Sequence, residues 1–458
     1  EVVYYPIEGK GSSIVRELRI DGKLPFSECQ NLTFTRVFKN ASEIKTDNSG
    51  NQIRPQQEES PMWIKTDLYD TLGYYSEPLQ FYLEAGSHEL EFSSIREPML
   101  IGMITIYQSP AARSYKKPEN VTSTETGYIK IQGEDAVLKS DSQLYPLSDS
   151  STPSTVPNDP KKILLNTIGG SKWHSNGQWL QWDFNIKTAG YYKIGIKFRQ
   201  NVTPGQSSYR KIYIDGKVPF SELKNVSFSY NNRWQYKTLG TEEEPYYIYL
   251  DKGPHTIKMQ VVLGDIATLA QNVNYSITRL NDIYRELLMI IGQDPDKTRD
   301  YQFKKVAPDA VKGLGDESKT LENYYKQFVN MNGMGGNQAQ ILKNIADLTA
   351  KMSKNPDKIA KYFSTFSNYI SSLGTWLTTA MNQSLEIDYI ELATPEFDWE
   401  SPNASFTEYM SFILKQFIAS FFVDYNSIGQ STTSDKSISV WLSTGRDQAT
   451  ALNQLIMN

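Results

Sequence analysis

The sequence is poor in the residues that most often carry covalent and metal chemistry. Its 458 residues include one cysteine, Cys29, and three histidines. A lone cysteine cannot close an internal disulfide, and three scattered histidines cannot build a cysteine and histidine zinc site. The low cysteine count fits a reducing compartment, and equally a secreted protein whose domains fold without covalent staples. Concentrated positive charge is also missing: 47 Lys and Arg stand against 52 Asp and Glu, a net charge of -5 with no basic stretch. Phosphate recognition needs clustered cations, so nucleic acid is excluded as the main partner. Nor is there a long apolar run. The stretch 406–423 is interrupted by Glu408, Lys415 and Gln416, whereas a spanning helix needs about 20 mostly apolar residues; a buried helix is expected there, and no membrane span. No charged head and apolar core opens the chain, so Glu1-Val-Val-Tyr-Tyr-Pro reads as a strand already under way, with the natural start expected upstream. Length alone suggests about three domains.

What the sequence does contain is an internal repeat. RELRIDGKLPFSE from Arg16 recurs as RKIYIDGKVPFSE from Arg210, and Asn31-Leu-Thr-Phe34 as Asn225-Val-Ser-Phe228, all at one offset of 194. PLQFYLEAGSHELEF from Pro78 then matches PYYIYLDKGPHTIKM from Pro245 at an offset of 167, so the first copy carries 27 more residues, within Thr35 to Glu77. Both blocks alternate apolar and polar residues and are punctuated by Asp-Gly, or by Gly before a His. That is the pattern of antiparallel strands joined by tight turns. Two β-sandwiches are expected.

The second copy has more in front: GYIKIQGEDA at Gly127, a Ser, Pro and Asp-rich loop from Ser140 to Pro160, and GQWLQWDFNI at Gly177 before YYKIGIKF. The first copy begins at the equivalent of that last strand, so roughly 65 residues of the sandwich are expected before Glu1. Its last strand, Pro98 to Tyr107, follows soon after Phe92. In the second copy the sequence after Val262 turns helical, with apolar residues at Ile277, Leu280, Ile283, Tyr284, Leu287 and Ile291, and later at Ile359, Tyr362, Phe363, Phe366, Ile370 and Leu373. The matching strand is therefore deferred to Leu385–Leu392, around a bundle of three or four helices. Gly333-Met-Gly-Gly336 lacks the Lys-Ser or Lys-Thr of a phosphate loop and reads as a helix connection. The tail, ISVWLSTGRDQ from Ile438 followed by Ala449, Leu452, Leu455 and Ile456 at helical spacing, is a strand, a turn and a helix, the opening of an α/β domain.

Beyond these patterns, ISVWLSTGRDQ resembles the first strand and helix of the periplasmic-binding-protein fold in solute-binding proteins of sugar ABC importers. ELRIDGKLPF, SIREPM, LNTIGGSKWHSNGQWLQW, LNDIYRELLMIIG, LGTWLTTAMNQSLEIDYIELA and FFVDYNSIG resemble the N-terminal extension of large surface solute-binding lipoproteins of Gram-positive bacteria. The sandwiches are similar to galactose-binding-like jelly rolls, the fold of many carbohydrate-binding modules. The resemblance implies a multidomain architecture: a first sandwich over 1–108, N-terminally incomplete; a linker, 109–126; a second sandwich over 127–265 plus 384–394; a helical insertion, 266–383; an apolar connecting helix, 403–425; a linker, 426–437; and the start of a solute-binding domain, 438–458. It further implies an extracellular, lipid-anchored carbohydrate-binding component of an ABC import system, with an oligosaccharide or polysaccharide and a membrane permease as partners. Its main cleft is expected beyond Asn458, and Trp441, Ser443, Thr444, Gly445 and Arg446 are the residues here that could reach it, although a helix start explains Ser443 and Gly445 as well.

Sugar recognition needs flat rings to stack on a pyranose and directional groups for its hydroxyls. Trp173, His174 and Trp179 offer that chemistry at a loop end, or else form an aromatic plug beneath loops. Period two puts Leu180, Trp182, Phe184 and Ile186 on the core face of their strand and Trp179 on the other. Jelly rolls of this kind often hold a structural calcium between their first and last strands; Gln132, Glu134 and Asp388 match that oxygen donor set, or are plain surface side chains. His88 and His255 occupy the same place in each repeat, which suggests a turn role, and Glu242 to Glu244 read as a solvated turn rather than a glycosidase pair. No catalytic residues are assigned. The alternatives to a sugar binder are a structural spacer or partner-docking region without sugar binding, and, further off, a glycoside-active enzyme.

Overall fold

A computed structural model describes residues 1–9, 11–108, 112–121, 127–332, 337–399 and 403–421. In the first repeat the alternating segments form β1 (Val2–Pro6), β2 (Ile14–Ile20), β3 (Leu32–Phe34), β4 (Ile64–Thr66), β5 (Leu90–Arg96) and β6 (Met99–Ile104). They make two facing three-stranded sheets, ordered β6-β1-β4 and β3-β2-β5. Val2, Tyr4, Ile14, Leu18, Leu32 and Phe34 are buried between them.

The second repeat is built the same way but larger. Its strands are β7 (Tyr128–Gln132), β8 (Thr167–Gly170), β9 (Trp179–Ile186), β10 (Gly190–Gln200), β11 (Ser208–Ile214), β12 (Val226–Phe228), β13 (Asn231–Thr238), β14 (Tyr247–Leu250), β15 (Gly253–Val262) and β16 (Leu385–Ala393). One sheet runs β8-β16-β10-β13, with β7 also on β16 and β14 on β10; the other contains β12-β11-β15-β9. Trp182, Phe184, Ile186, Ile196, Phe198, Ile257 and Ile390 fill the space between. Strand β16 is antiparallel to β7, β8 and β10, although more than a hundred residues separate it from β15.

Those intervening residues are α1 (Ile266–Ile291), α2 (Pro308–Asn332), α3 (Asn337–Lys354) and α4 (Ile359–Ala380). Their apolar residues recur at three- and four-residue spacing, so each helix has a stripe to bury. Leu280, Leu287, Leu314, Leu342, Phe366 and Trp376 meet in one bundle core. The bundle leaves and re-enters the sandwich next to one loop end: Tyr209 N donates to Gln383 Oε1 (3.0 Å) and Gln206 Nε2 to Ala380 O (2.6 Å). Beyond β16, Ser405 and Glu408 form a reciprocal capping box at the start of α5 (Phe406–Ser420).

The extra residues of the first repeat join the two modules. Phe38–Asn40 and Gln57–Glu59 extend the second module's sheet, with Phe38 opposite Lys139. The buried Lys139 ammonium donates to Asn40 Oδ1 and Gln57 Oε1. With amide oxygens only as partners, its burial pushes the pKa down to about 7. Asn51 and Gln52 side chains accept from Ile163 N and Leu165 N, and Tyr74 packs on the bundle.

Each repeat carries the same clamp. Asp21-Gly22 and Asp215-Gly216 make two-residue hairpin turns with φ values of 51° and 72°, and of 49° and 74°, the left-handed conformation that Asp-Gly tolerates. Asp21 Oδ2 meets His88 Nδ1 at 2.8 Å while His88 Nε2 faces Glu84 O at 2.8 Å; Asp215, His255 and Asp251 O repeat this at the same distances. With an acceptor at both ring nitrogens, both imidazolium ions are favoured. The His88 pKa is raised by the Glu84 carbonyl and then Asp21; at His255 burial opposes the shift and is outweighed by Asp215 and the Asp251 carbonyl. A raised folded-state pKa gives stability that is complete below the unfolded value of about 6.5 and is lost as pH rises through the folded one. Melting temperature is therefore expected to fall between pH 6 and pH 8.5, and the double variant His88→Ala plus His255→Ala to lose that part of the slope. Superimposable pH profiles would show the clamps to be neutral in the folded state.

Candidate functional site

The loop end of the second sandwich carries the three side chains read as sugar ligands. Trp173 follows β8 and is fully buried; Trp179 opens β9 and is 9% exposed. The Arg210 guanidinium lies 4.0 Å from the centre of the Trp173 ring and donates to Trp173 O (3.0 Å), while Trp173 Nε1 reaches Gln178 O at 3.4 Å. Lys258 covers Trp179 at 5.4 Å, and Trp179 N donates to Ser140 Oγ (2.7 Å). His174 N donates to Gln178 Oε1 and His174 O accepts from Gln383 N, both at 3.0 Å. His174 Nδ1 is buried with no hydrogen-bond partner among the described residues.

This corrects the expectation of open rings. Trp173 and Trp179 offer no face to a pyranose, because the bundle closes the loop end from one side and the first module from another, where Asn176 Nδ2 donates to Asp70 O and Thr71 O. The cluster is a three-way joint. Arg210 is its least expected member: it is fully buried, bonded only to carbonyls, and desolvation holds its pKa well below the usual arginine value. The signal was in the repeat, since Arg16, its counterpart at offset 194, is also buried and also donates to carbonyls, of Val15 and Arg96.

Gln132, Glu134 and Asp388 do come together. Gln132 ends β7 opposite Tyr389, and a bulge in β16 falls at Asp388, between the pairs Lys197–Tyr389 and Phe198–Ile387. Such a bulge re-aims a side chain. Gly133 lies so close to β16 that a Cβ there would sit 2.5 Å from Ile387 O and 2.8 Å from Asp388 O; only glycine lets the following turn carry Glu134 over the strand. Gln132 Oε1 and Glu134 Oε2 are buried without a hydrogen-bond partner among the described residues, and Asp388 Oδ2 has beside it only the Lys197 ammonium, at 2.9 Å. Burial drives the Glu134 pKa to about 9, with Asp135 and Asp388 adding to it; burial lifts Asp388 to about 6 against the pull of Lys197. Hard oxygen donors, two of them carboxylates, fit a hard cation such as calcium, which would supply the missing positive charge. Among the described residues no cluster has three or more His, Cys, Asp or Glu, consistent with a set of two carboxylates and one amide.

Sequence reading missed the outward face of the same sheet. Lys130 pairs with Glu391 (3.1 Å), Arg199 with Glu386 (2.8 Å) and Asp149 (3.2 Å), and Trp234 Nε1 donates to Asp149 Oδ2 (2.9 Å). The 146–158 loop lies over this layer, through Lys197 to Ser154 O and Val156 N to Asp388 Oδ1. The alternation of Lys197 and Arg199 against Glu386 and Glu391 on neighbouring strands was the available signal. Trp441, Ser443, Thr444, Gly445 and Arg446, with the whole of 426–458, lie outside the described residues.

No curated protein matches the sequence. Among solved structures, a cycloisomaltooligosaccharide glucanotransferase from Paenibacillus sp. shares 17% identity over 33% of this chain, which spans 17% of the enzyme's length, with a TM-score of 0.22. A family 35 carbohydrate-binding module from Clostridium thermocellum shares 13% identity over 30% of this chain and 87% of its own, TM-score 0.22. A CBM35 from Cellvibrio japonicus Abf62 shares 12% over 30% and 82%, TM-score 0.21. Residues 268–383 match the family described as bacterial solute-binding protein, 4-helix bundle domain. The helical insertion α1–α4 is thus similar to the four-helix-bundle domain of bacterial solute-binding proteins.

Proposed function

We propose that this chain is the accessory region of an extracellular solute-binding protein that captures a carbohydrate for an ABC permease, and that it has no catalytic role. The carrying observation is the match of the inserted bundle to solute-binding proteins over 268–383. The sequence resemblance to surface lipoproteins of sugar importers supports the carbohydrate, the permease, the lipid anchor and the Gram-positive surface. Among the described residues no helix is long and apolar enough to cross a membrane. Both histidines of the repeats have their ring nitrogens committed to Asp and backbone partners, which leaves them unsuited to acid–base work.

A supporting role for the second sandwich is favoured by one specific observation: the ring faces that would stack on sugar are buried in the joint. Recognition is then assigned to the strand-to-helix turn at Trp441 to Arg446 and the domain it opens. The test is uptake of labelled oligosaccharides by cells lacking the gene. Uptake of at least one saccharide is expected to fall about tenfold at limiting concentration and to be restored by the natural gene, while Trp441→Ala plus Arg446→Ala restores it poorly. Unchanged uptake of every saccharide tested would overturn the reading.

A further inference from the structure

The two sandwiches differ in one respect that the repeat makes measurable. In the second, β15 is paired on both sides, by β11 and β9, and β16 carries β7 and β8 as well as β10. Their counterparts in the first, β5 and β6, have one partner each among the described residues, β2 and β1. Two edges are left open toward a common interior. Between them lies a cleft of about 650 Å³ lined by Leu18, Ile20, Leu90, Phe92, Ile104 and Ile106. The matching residues of the second module, Ile212, Ile214, Ile257, Met259, Ile390 and Leu392, are all buried there against Trp182 and Phe184 of β9. In the first module Ile104 is 40% and Ile106 67% exposed. Unpaired edges over an apolar interior are what natural sheets avoid by covering them.

We propose that the first sandwich is a strand acceptor: an extended segment with the apolar alternation of β9 pairs with the free edge of β5 and fills the cleft with its large side chains. The occupant is the same polypeptide on the N-terminal side of β1. The repeat fixes this order, because β9 ends at Ile186 and β10, the counterpart of β1, opens at Gly190. It also fixes the register. Trp182 stands opposite Ile257 and Leu180 opposite Met259, so the incoming residues equivalent to Trp182 and Leu180 lie opposite Leu90 and Phe92. Main-chain hydrogen bonds supply affinity and the alternate side chains supply selectivity, as in strand addition generally.

The experiment duplicates residues 177–194 in front of Glu1 of the whole chain, which reproduces the spacing of the second module, and compares it with the original chain by amide hydrogen exchange and binding of an apolar fluorescent dye. In a second arm the peptide of residues 177–187 is added to the original chain in trans. The expected result is at least tenfold slower exchange at Leu90–Arg96 with either donor, loss of dye binding in the duplicated chain, and reversal of both when Trp182→Ser and Phe184→Ser are made in the donor copy alone. Unchanged exchange at β5 with both donors would overturn the proposal. So would equal protection by the serine donor, a concentration-dependent dimer formed through β5, or displacement of the dye by an oligosaccharide in place of the peptide.

Discussion

Trp173→Ala is expected to lower the stability of the second sandwich by about 3–5 kcal/mol, the range for removing a fully buried large aromatic residue. For a unit of this size that amounts to roughly 10 °C or more in melting temperature. The cost has two sources. One is the cavity left where the ring packs in the core. The other is Arg210, buried with carbonyls and the Trp173 face as its surroundings; without the ring a guanidinium is left in a low-dielectric space with poorer compensation. Arg210→Met should therefore cost less in the Trp173→Ala background than alone, with a coupling of about 1–2 kcal/mol in a double-mutant cycle. The competing role for Trp173, as a sugar platform, makes the opposite forecast: little change in melting and loss of glycan binding. Chemical denaturation of the four proteins decides between them.

The same residue shows where sequence reading reaches its limit. Period two placed Trp182 on the core side of β9 and Trp179 opposite, and the burial pattern of that strand follows the same alternation. Alternation reports which face a side chain takes, not what covers that face. Trp179 is covered by Lys258 on β15, and Trp173 is shut in by a bundle that rejoins the sandwich more than two hundred residues later. The repeat, the two sandwiches and the helical insertion were legible because each rests on local periodicity. The part of the first module between Thr35 and Glu77 was legible only as extra length. Its strands are two or three residues long and polar, and they exist because Lys139 and its neighbours offer an edge to pair with. No local pattern encodes a partner supplied by another domain. The ionic layer on the outward sheet face was hidden for a related reason, since the loop that buries it has no regular structure of its own over much of its length.

Calcium added to chain stripped with a chelator is expected to raise the melting temperature, by about 2.7 kcal/mol of stabilisation at a hundredfold excess over the dissociation constant. The argument rests on a charge count at one place. Glu134 is buried with one carboxylate oxygen unpartnered, Gln132 contributes a second such oxygen, and Asp388 presents a third to this corner. Left to itself the Glu134 carboxyl holds its proton up to about 9, so a cation that binds the ionised pair must first displace that proton. Magnesium demands near-ideal octahedral geometry and gives up water reluctantly, and so should stabilise far less at the same concentration. Glu134→Gln and Asp388→Asn should each abolish most of the calcium response while leaving the metal-free chain folded, because each replaces a buried acid by a neutral group of the same shape. Lys197 makes the forecast sharper: its ammonium sits 2.9 Å from Asp388 and already answers part of the negative charge. If ammonium and calcium compete for Asp388, Lys197→Met will destabilise the metal-free chain and enlarge the calcium-induced rise. If melting is indifferent to calcium in the natural chain and in Lys197→Met alike, the three oxygens form a protonated polar cluster held by Lys197, and no cation belongs to the second sandwich.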